Sequence, residues 1–237
     1  TVARSSFNDF NYAFGIQLNN ETLDIEYNDL ARAEFDSDGK ITKTADLFFL
    51  GGGQNVDESR NKYGAFFEGE QEFFGSLGLR LATRYEKVDN FSSLDPKLSI
   101  RFSPIEEITF RISRGTSFTM PSMAQMFSSD INLGSVRDLD DNIFVRQARI
   151  GNPDLKPATS TNSNFGFVYD SDVNRFSLDY WEIDYRNRIE AESSQALLDL
   201  DPQGPSITRN ENGELIAVTT TYSVSYTHLT LPTNVQV

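Results

Sequence analysis

The stretch LDPKLSIRFSPIEEITFRISRGTSFTMPS, Leu94 to Ser122, decides how the rest of the chain is read. Leu98, Ile100 and Phe102 alternate with Lys97, Ser99 and Arg101. After a tight turn at Pro104-Ile105-Glu106 the rhythm resumes, with Ile108, Phe110 and Ile112 opposing Thr109, Arg111 and Ser113. Successive side chains of a strand point to opposite faces, so each run has one apolar and one polar face. The pattern is that of two antiparallel strands joined by a short turn.

Outward from there the same period recurs. Tyr12, Phe14, Ile16 and Leu18 share a parity; Leu77, Leu79 and Leu81 oppose Arg80, Ala82 and Arg84; Phe165, Phe167 and Tyr169 oppose Asn164 and Gly166. Strands are expected at about 9–27, 62–72, 76–85, 96–103, 107–118, 159–170, 174–189 and 214–223. In the seventh, apolar residues start at Phe176, Leu178 and Tyr180 and then shift to Trp181, Ile183 and Tyr185, which predicts a bulge near Tyr180. Ser194 to Leu200 reads as one or two helical turns. Tight turns at Phe73-Phe74-Gly75, Pro104-Ile105-Glu106 and Ser171-Asp172-Val173 alternate with long segments at about 28–61, 86–95, 119–158 and 190–213. In a meander, alternate connections share a rim, so short turns gather on one edge and long loops on the other, as in outer-membrane barrels.

Composition narrows the function. The 237 residues are 38% hydrophobic and 12% aromatic, too apolar for a disordered tail. A net charge of −14 argues against a nucleic-acid partner. With no cysteine and a single histidine, His228, the parts for thiol chemistry, for Cys/His metal centres and for most catalytic triads are missing, so neither an enzyme nor a bound cofactor or metal is expected. No apolar run of about 18 residues is present, which excludes a spanning helix but not a barrel. Glu68, Glu70 and Glu72 share one strand face, as do Arg80 and Arg84, and Arg101 lies on the polar face of its own strand. Such arginines would cost about 2–4 kcal/mol each against mid-bilayer lipid and little against water. Tyr63, Tyr85, Phe118, Tyr169 and Tyr185 at strand ends suit interfacial girdles. The expected fold is all-β, an antiparallel up-and-down transmembrane β-barrel of which the chain holds a part, with a soluble antiparallel sandwich as the alternative.

The candidate ligand residues lie between Met120 and Lys156. Arg137, Arg146 and Arg149 suit an anionic metal chelate, while Asp138, Asp140 and Asp141, with Asp130 nearby, suit a cation. A merely solvated loop is the competing reading of each. Gly51-Gly52-Gly53 lacks the Lys-Ser/Thr of a phosphate cradle and reads as flexible loop. The pair Glu68 and Glu70 reads as lumen-facing rather than hydrolytic.

The segment Leu94–Ser122 and the later Gly151-Asn-Pro-Asp-Leu-Lys-Pro-Ala-Thr-Ser160 together resemble the β-barrel of TonB-dependent outer-membrane receptors, and Leu178–Ile189 is similar to a further strand of that family. The likeness runs from about Tyr12 to Ser223. It departs at Thr119-Met120, where the family often has Arg-Ala, and at Ala158, where Glu is usual. The matched positions Arg114, Gly115, Phe118, Pro121, Asn152, Pro153, Asp154, Leu155, Lys156 and Pro157 are expected to do structural work; the two flanking prolines steer the chain from a loop into the wall. The resemblance implies about 8 strands of a 22-stranded barrel in the outer membrane of a Gram-negative bacterium, in contact with outer-membrane lipid. It implies energised uptake through TonB with ExbB and ExbD, reached by an N-terminal region outside this chain. It also implies a scarce ligand, most often a ferric siderophore or other metal chelate, with cobalamin or an oligosaccharide as further cases. A passive porin-like channel and a soluble carbohydrate-binding or adhesive module are the competing functions. Finally, Val224–Thr233 resembles the in-frame translation of a sequencing adapter, so residues 1–223 are expected to form the barrel portion and 224–237, with His228, a non-biological tail.

Overall fold

The computed structural model describes residues 2–7, 10–36, 40–46, 51–225 and 234–236. In chain order its elements begin with β1 (Val2–Phe7), β2 (Phe10–Ile25), β3 (Glu34–Phe35), β4 (Ile41–Lys43), β5 (Gly52–Gly53) and β6 (Val56–Phe73). There follow β7 (Leu77–Val88), β8 (Phe91–Ile105), β9 (Ile108–Thr119), α1 (Met123–Phe127), β10 (Ser129–Asp138) and β11 (Asp141–Ile150). The last are β12 (Ala158–Asp170), β13 (Arg175–Arg186), β14 (Arg188–Ala191), α2 (Ser194–Leu200), β15 (Ile207–Arg209), β16 (Leu215–Ser225) and β17 (Asn234–Gln236).

Nine strands form one open wall in the order β1-β2-β6-β7-β8-β9-β12-β13-β17. Each neighbouring pair is antiparallel, so the wall is an up-and-down meander from which longer excursions leave at one rim. Register makes the two faces explicit, because residues directly opposite in antiparallel strands share a face. Leu79, Ile100, Ile112, Phe165 and Tyr180 stand in one row across five strands. One step along, on the other face, the row reads Glu72, Gly78, Arg101, Arg111, Gly166, Asp179. The facing arginines diverge: Arg101 pairs with Glu72 and Arg111 with Asp179 at 2.9 Å, each passing over a glycine. A Cβ on Gly166 would stand 2.6 Å from the Asp179 carboxylate and 2.9 Å from Arg111 Nε, so glycine is what lets this pair form. The apolar face stays uncovered, with Leu18 71% and Leu94 63% exposed. A contiguous apolar surface of this kind belongs against a nonaqueous medium or a partner.

Seven of the eight expected strands are wall strands. The eighth, 214–223, corresponds to β16, which lies in a separate loop sheet. There Ala217 and Val218 are both buried, so its two faces are covered, unlike a half-wetted wall strand. The expected loop at 86–95 is a tight hairpin: β7 and β8 run on to Val88 and Phe91, with Asp89 at φ 48° in the turn. No bulge occurs near Tyr180; β12 and β13 pair without interruption from Thr159↔Arg186 to Asp170↔Arg175. Trp181, Ile183 and Tyr185 therefore sit on the polar face, and Tyr185 is not part of an outward girdle. Within the wall a register shift lies instead between Phe102 and Ile105, where Pro104 cannot donate to a ladder.

The segments expected as plain loops carry a second sheet, β14-β16-β11-β10-β5, with β15 added on β16. The β10–β11 hairpin has apolar packing on both sides. Val136 and Val145 join Leu198, Ile207, Leu215 and Val218, while Ile131 and Ala148 join Ala33 and Ala45. The expected helical turns at Ser194–Leu200 are α2, capped by the Ser193 hydroxyl accepting from Ala196 N–H. The tail residues 226–233 with His228 lie outside the described residues.

The wall generates a paired expectation. Arginine at Ile112, on the apolar face, should cost about 2–4 kcal/mol in a bilayer, whereas arginine at Ser113 should cost far less. Refolding titrations of the two variants in lipid vesicles measure the difference, and equal costs would contradict the assignment of faces.

Candidate ligand site at the mouth of the wall

The chain leaves β9 at Thr119 and turns across the polar face toward β6 and β2. The short helix α1 starts with a reciprocal cap: Gln125 N–H donates to the Ser122 hydroxyl at 3.1 Å, and Ser122 N–H donates to Gln125 Oε1 at 2.9 Å. One side of this crossing is pinned by Arg60, whose side chain is only 5% exposed. Its Nη1 donates to the Pro121 carbonyl at 2.8 Å and its Nε to Glu21 at 2.7 Å. Glu21 also binds Lys62, so one carboxylate serves two cations, and the Pro121 carbonyl supplies the buried guanidinium with a further acceptor.

The other side of the crossing faces β13 across a cleft of about 410 Å3 lined by Met120, Gln125, Ile183, Tyr185, Arg188 and Ile189, with Thr119 and Ala158. The uninterrupted register places Trp181, Ile183 and Tyr185 opposite Asn164, Asn162 and Ser160 of β12. These in turn stand opposite Ser113, Gly115 and Ser117 of β9. The result is a low polar shelf beside a taller apolar wall. Ser117 and Ser160 share a hydroxyl hydrogen bond of 2.8 Å, and Asn162 donates to Ser160 at 3.1 Å. Gly115 keeps the shelf low, since a Cβ there would stand 2.9 Å from Lys97 Cβ. Such a surface offers ring stacking and neutral hydrogen bonds. Below it, the polar face holds a second cleft of about 500 Å3 around Arg80, Arg101, Arg111 and Asp179, with Arg80 paired to Glu68 at 2.8 Å.

The motif around Asn152 closes the mouth. Asn152 N–H donates to the Gln125 carbonyl at 2.9 Å, and its side chain donates to the Tyr222 carbonyl at 3.0 Å while accepting from Asp154 N–H. Leu155 and Pro157 are buried; Pro153, Asp154 and Lys156 are exposed. Arg114 and Phe118 share the parity of Ile112 and so lie on the apolar face, Arg114 opposite Leu98 and Ser163.

The loop candidates are spread along β10 and β11 and do not converge. Asp138 is held by Arg209 in a two-pronged pair, both contacts 2.8 Å, with side chains 12% and 13% exposed. The Arg209 hydrogen bonds hold the Asp138 carboxyl below the usual range, and the same contact raises Arg209. At the hairpin tip Arg137 reaches Asp140 at 3.8 Å in full solvent. Arg137 backbone N–H and C=O are both bonded by the Gln195 amide. Asp141 is exposed at the tip, opposite Asp138, and Arg146 is half-buried beside Leu133 in register. Asp130 and Arg149 face each other in register; burial raises the Asp130 carboxyl, and the Arg149 charge opposes that rise. Burial and the Asp130 charge together raise the Tyr27 hydroxyl. Arg149 also lies 5.8 Å over the Tyr222 ring. Among the described residues no three Asp, Glu, His or Cys side chains gather in a way that would hold a metal. As site residues, Met120, Gln125 and Arg188 escaped the sequence reading, while Ile183 and Tyr185 were read there as strand and girdle residues; the parity change after Tyr180 was the signal for these two.

A model of the family described as TonB dependent receptor-like, beta-barrel, matches residues 2–227. A probable TonB-dependent siderophore receptor of Acinetobacter baumannii, PirA, is 29% identical over 115 residues, which is 48% of this chain and 15% of that protein. A mutant of the ferric enterobactin receptor PfeA from Pseudomonas aeruginosa, solved with enterobactin, matches at TM-score 0.65 and 17% identity over 99% of this chain and 31% of its own. The siderophore receptor PirA from Pseudomonas aeruginosa matches at TM-score 0.62 and 16% identity, over 95% of this chain and 36% of its own. The chain therefore spans between 15% and 36% of the length of these relatives.

The Asp138–Arg209 pair carries a pH expectation. A carboxyl held below its unfolded value stabilises the loop sheet above the unfolded pKa, about 4, and that stabilisation fades as pH falls through the folded value. Asp138→Asn should weaken the sheet by about 1–3 kcal/mol, between exposed and buried ion pairs, and flatten the acid dependence. Amide hydrogen exchange of β10 and β16 between neutral and acid pH checks both.

Proposed function

The chain belongs to the TonB-dependent receptor β-barrel family, and from that premise we propose that it forms part of the wall and the surface loops of an outer-membrane receptor that takes up a ferric siderophore with energy delivered through TonB. The family is one of Gram-negative outer-membrane transport receptors rather than enzymes. The observation that carries the membrane reading is the two-faced wall: an uncovered apolar surface on one side and rows of paired charges on the other. The ligand class rests on the printed functions of the similar proteins, a ferric enterobactin receptor and two siderophore receptors among them.

In this reading ligand settles at the mouth, above the charge-paired face. TonB, with ExbB and ExbD, acts through a region outside this chain and opens a path along that face. The paired arginines and carboxylates suit such a path, because water-lining charges that neutralise one another neither trap a passing ion nor cost much. No covalent step is needed. The loop charges Asp130, Arg137, Asp138, Asp140, Asp141, Arg146 and Arg149 act in this proposal by shaping the sheet that roofs the mouth. Residues 224–237 are read as adapter-derived, and resequencing across that junction tests it.

Radiolabelled iron uptake by iron-starved cells carrying the full-length gene, with and without TonB, tests the function. Uptake that falls to background without TonB is expected. Uptake that persists would make the protein a passive channel, and failure to bind any ferric chelate would reject the iron reading.

A further inference from the structure

At the rim opposite the mouth, the chain reverses between β6 and β7 through Phe74 at φ 54° and Gly75 at φ 65°, with Ser76 N–H donating to the Phe73 carbonyl at 3.2 Å. Two successive left-handed residues make the hairpin turn that Asn-Gly suits best, and a bulky side chain at its first position is costly. No contact within the chain compensates, since Phe74 is 96% exposed. Asparagine would serve the turn alone, so the ring answers to something outside the fold. Neighbouring turns share its character, with Ile105 53% and Val173 86% exposed. Backbone hydrogen bonds tie the three turns side by side: Ser103 N–H donates to the Ser76 carbonyl and Asp170 N–H to the Glu107 carbonyl, both at 2.8 Å. They form one preorganised edge rather than three loose loops. Glu106, Glu107 and Asp172 stand exposed along it with no ion pair to any described residue, while Arg175 is taken up by Asp170 at 3.6 Å. Apolar knobs set among such carboxylates fit a basic surface that holds an apolar pocket. The phosphates of a lipid headgroup layer would instead meet the carboxylates with like charge.

We propose that this short-turn rim, periplasmic in an outer-membrane barrel, is a docking edge for a basic protein domain, the energy-coupling partner TonB, which it holds against the wall itself in addition to the region outside this chain. The inference rests on the energised-receptor reading and deepens it. Phe74 is the anchor of the contact, and Glu106, Glu107 and Asp172 steer the approach.

The test is equilibrium binding of the purified periplasmic domain of TonB to the full-length receptor in detergent. Phe74→Asn should weaken binding about tenfold while leaving the denaturant midpoint of the receptor unchanged or higher, because asparagine accepts the left-handed turn. Glu106→Lys combined with Glu107→Lys should weaken binding about tenfold at low salt, and the difference should vanish at high salt, which a folding defect would not do. Unaltered affinity in both variants overturns the proposal and leaves the energised-receptor reading standing, with TonB held through the region outside this chain alone. Unaltered affinity together with weaker retention of Phe74→Asn in lipid vesicles also overturns it and assigns the rim to the bilayer. Absence of any TonB binding by the unaltered receptor overturns both.

Discussion

Everything in this chain depends on an unbroken backbone ladder. A strand whose apolar face meets hydrocarbon has no water to satisfy its N–H and C=O groups, so each must be paired by the next strand. The antiparallel meander from β1 to β13 meets that demand strand by strand. It also fixes the alternation of faces, because a slip of one residue would turn every arginine of the polar rows outward. The glycine at 166 follows from the same constraint: with the ladder rigid, the Arg111–Asp179 pair, which reaches across a whole strand, forms only because no side chain stands between its partners.

Above the wall the physics changes. The excursions are wet, and there the chain builds ordinary two-sided cores, one around Val136, Val145 and Leu198 and another around Ile131 and Ala148. Charges that the wall spends on lining water are used here as clips. Asp138 and Arg209 tie the hairpin tip to the loop after α2, and the Gln195 amide binds both backbone groups of Arg137 like a one-residue strand. Arg60 performs a related task lower down, fixing the crossing that separates the mouth cleft from the β2–β6 side.

Much of the wall was legible because period-two alternation is the direct trace of one wet and one apolar face, as at Leu98–Phe102 and Ile108–Ile112. The rule failed where that environment ends. Residues 86–95 are paired, but Val88, Phe91 and Leu94 are outnumbered there by charged and polar residues, so little in their hydropathy marks them as strand. β16 alternates well enough to mimic a wall strand, yet Ala217 and Val218 are both buried, a state two-faced alternation does not describe. The shift at Tyr180 was read as a change of backbone when it is a change of surroundings: the strand runs straight and the polar face itself turns apolar at the mouth. That misreading hid Tyr185 and Ile183, whereas the charged loop residues attracted attention although several serve as clips.

The parallel pairing of β11 with β16 joins Arg146 to Ala217 and Ile150 to Thr221, and the Thr220 and Thr221 hydroxyls donate to carbonyls of Ala148 and Ile150. Wall strands, by contrast, often pair with the strand just before them through short turns. Closing a long loop costs entropy before any contact repays it. Assembly should therefore be ordered in time, the adjacent hairpins β6 to β9 zipping first and the roof over the mouth knitting last, once β12 and β13 have brought residue 217 back beside residue 146.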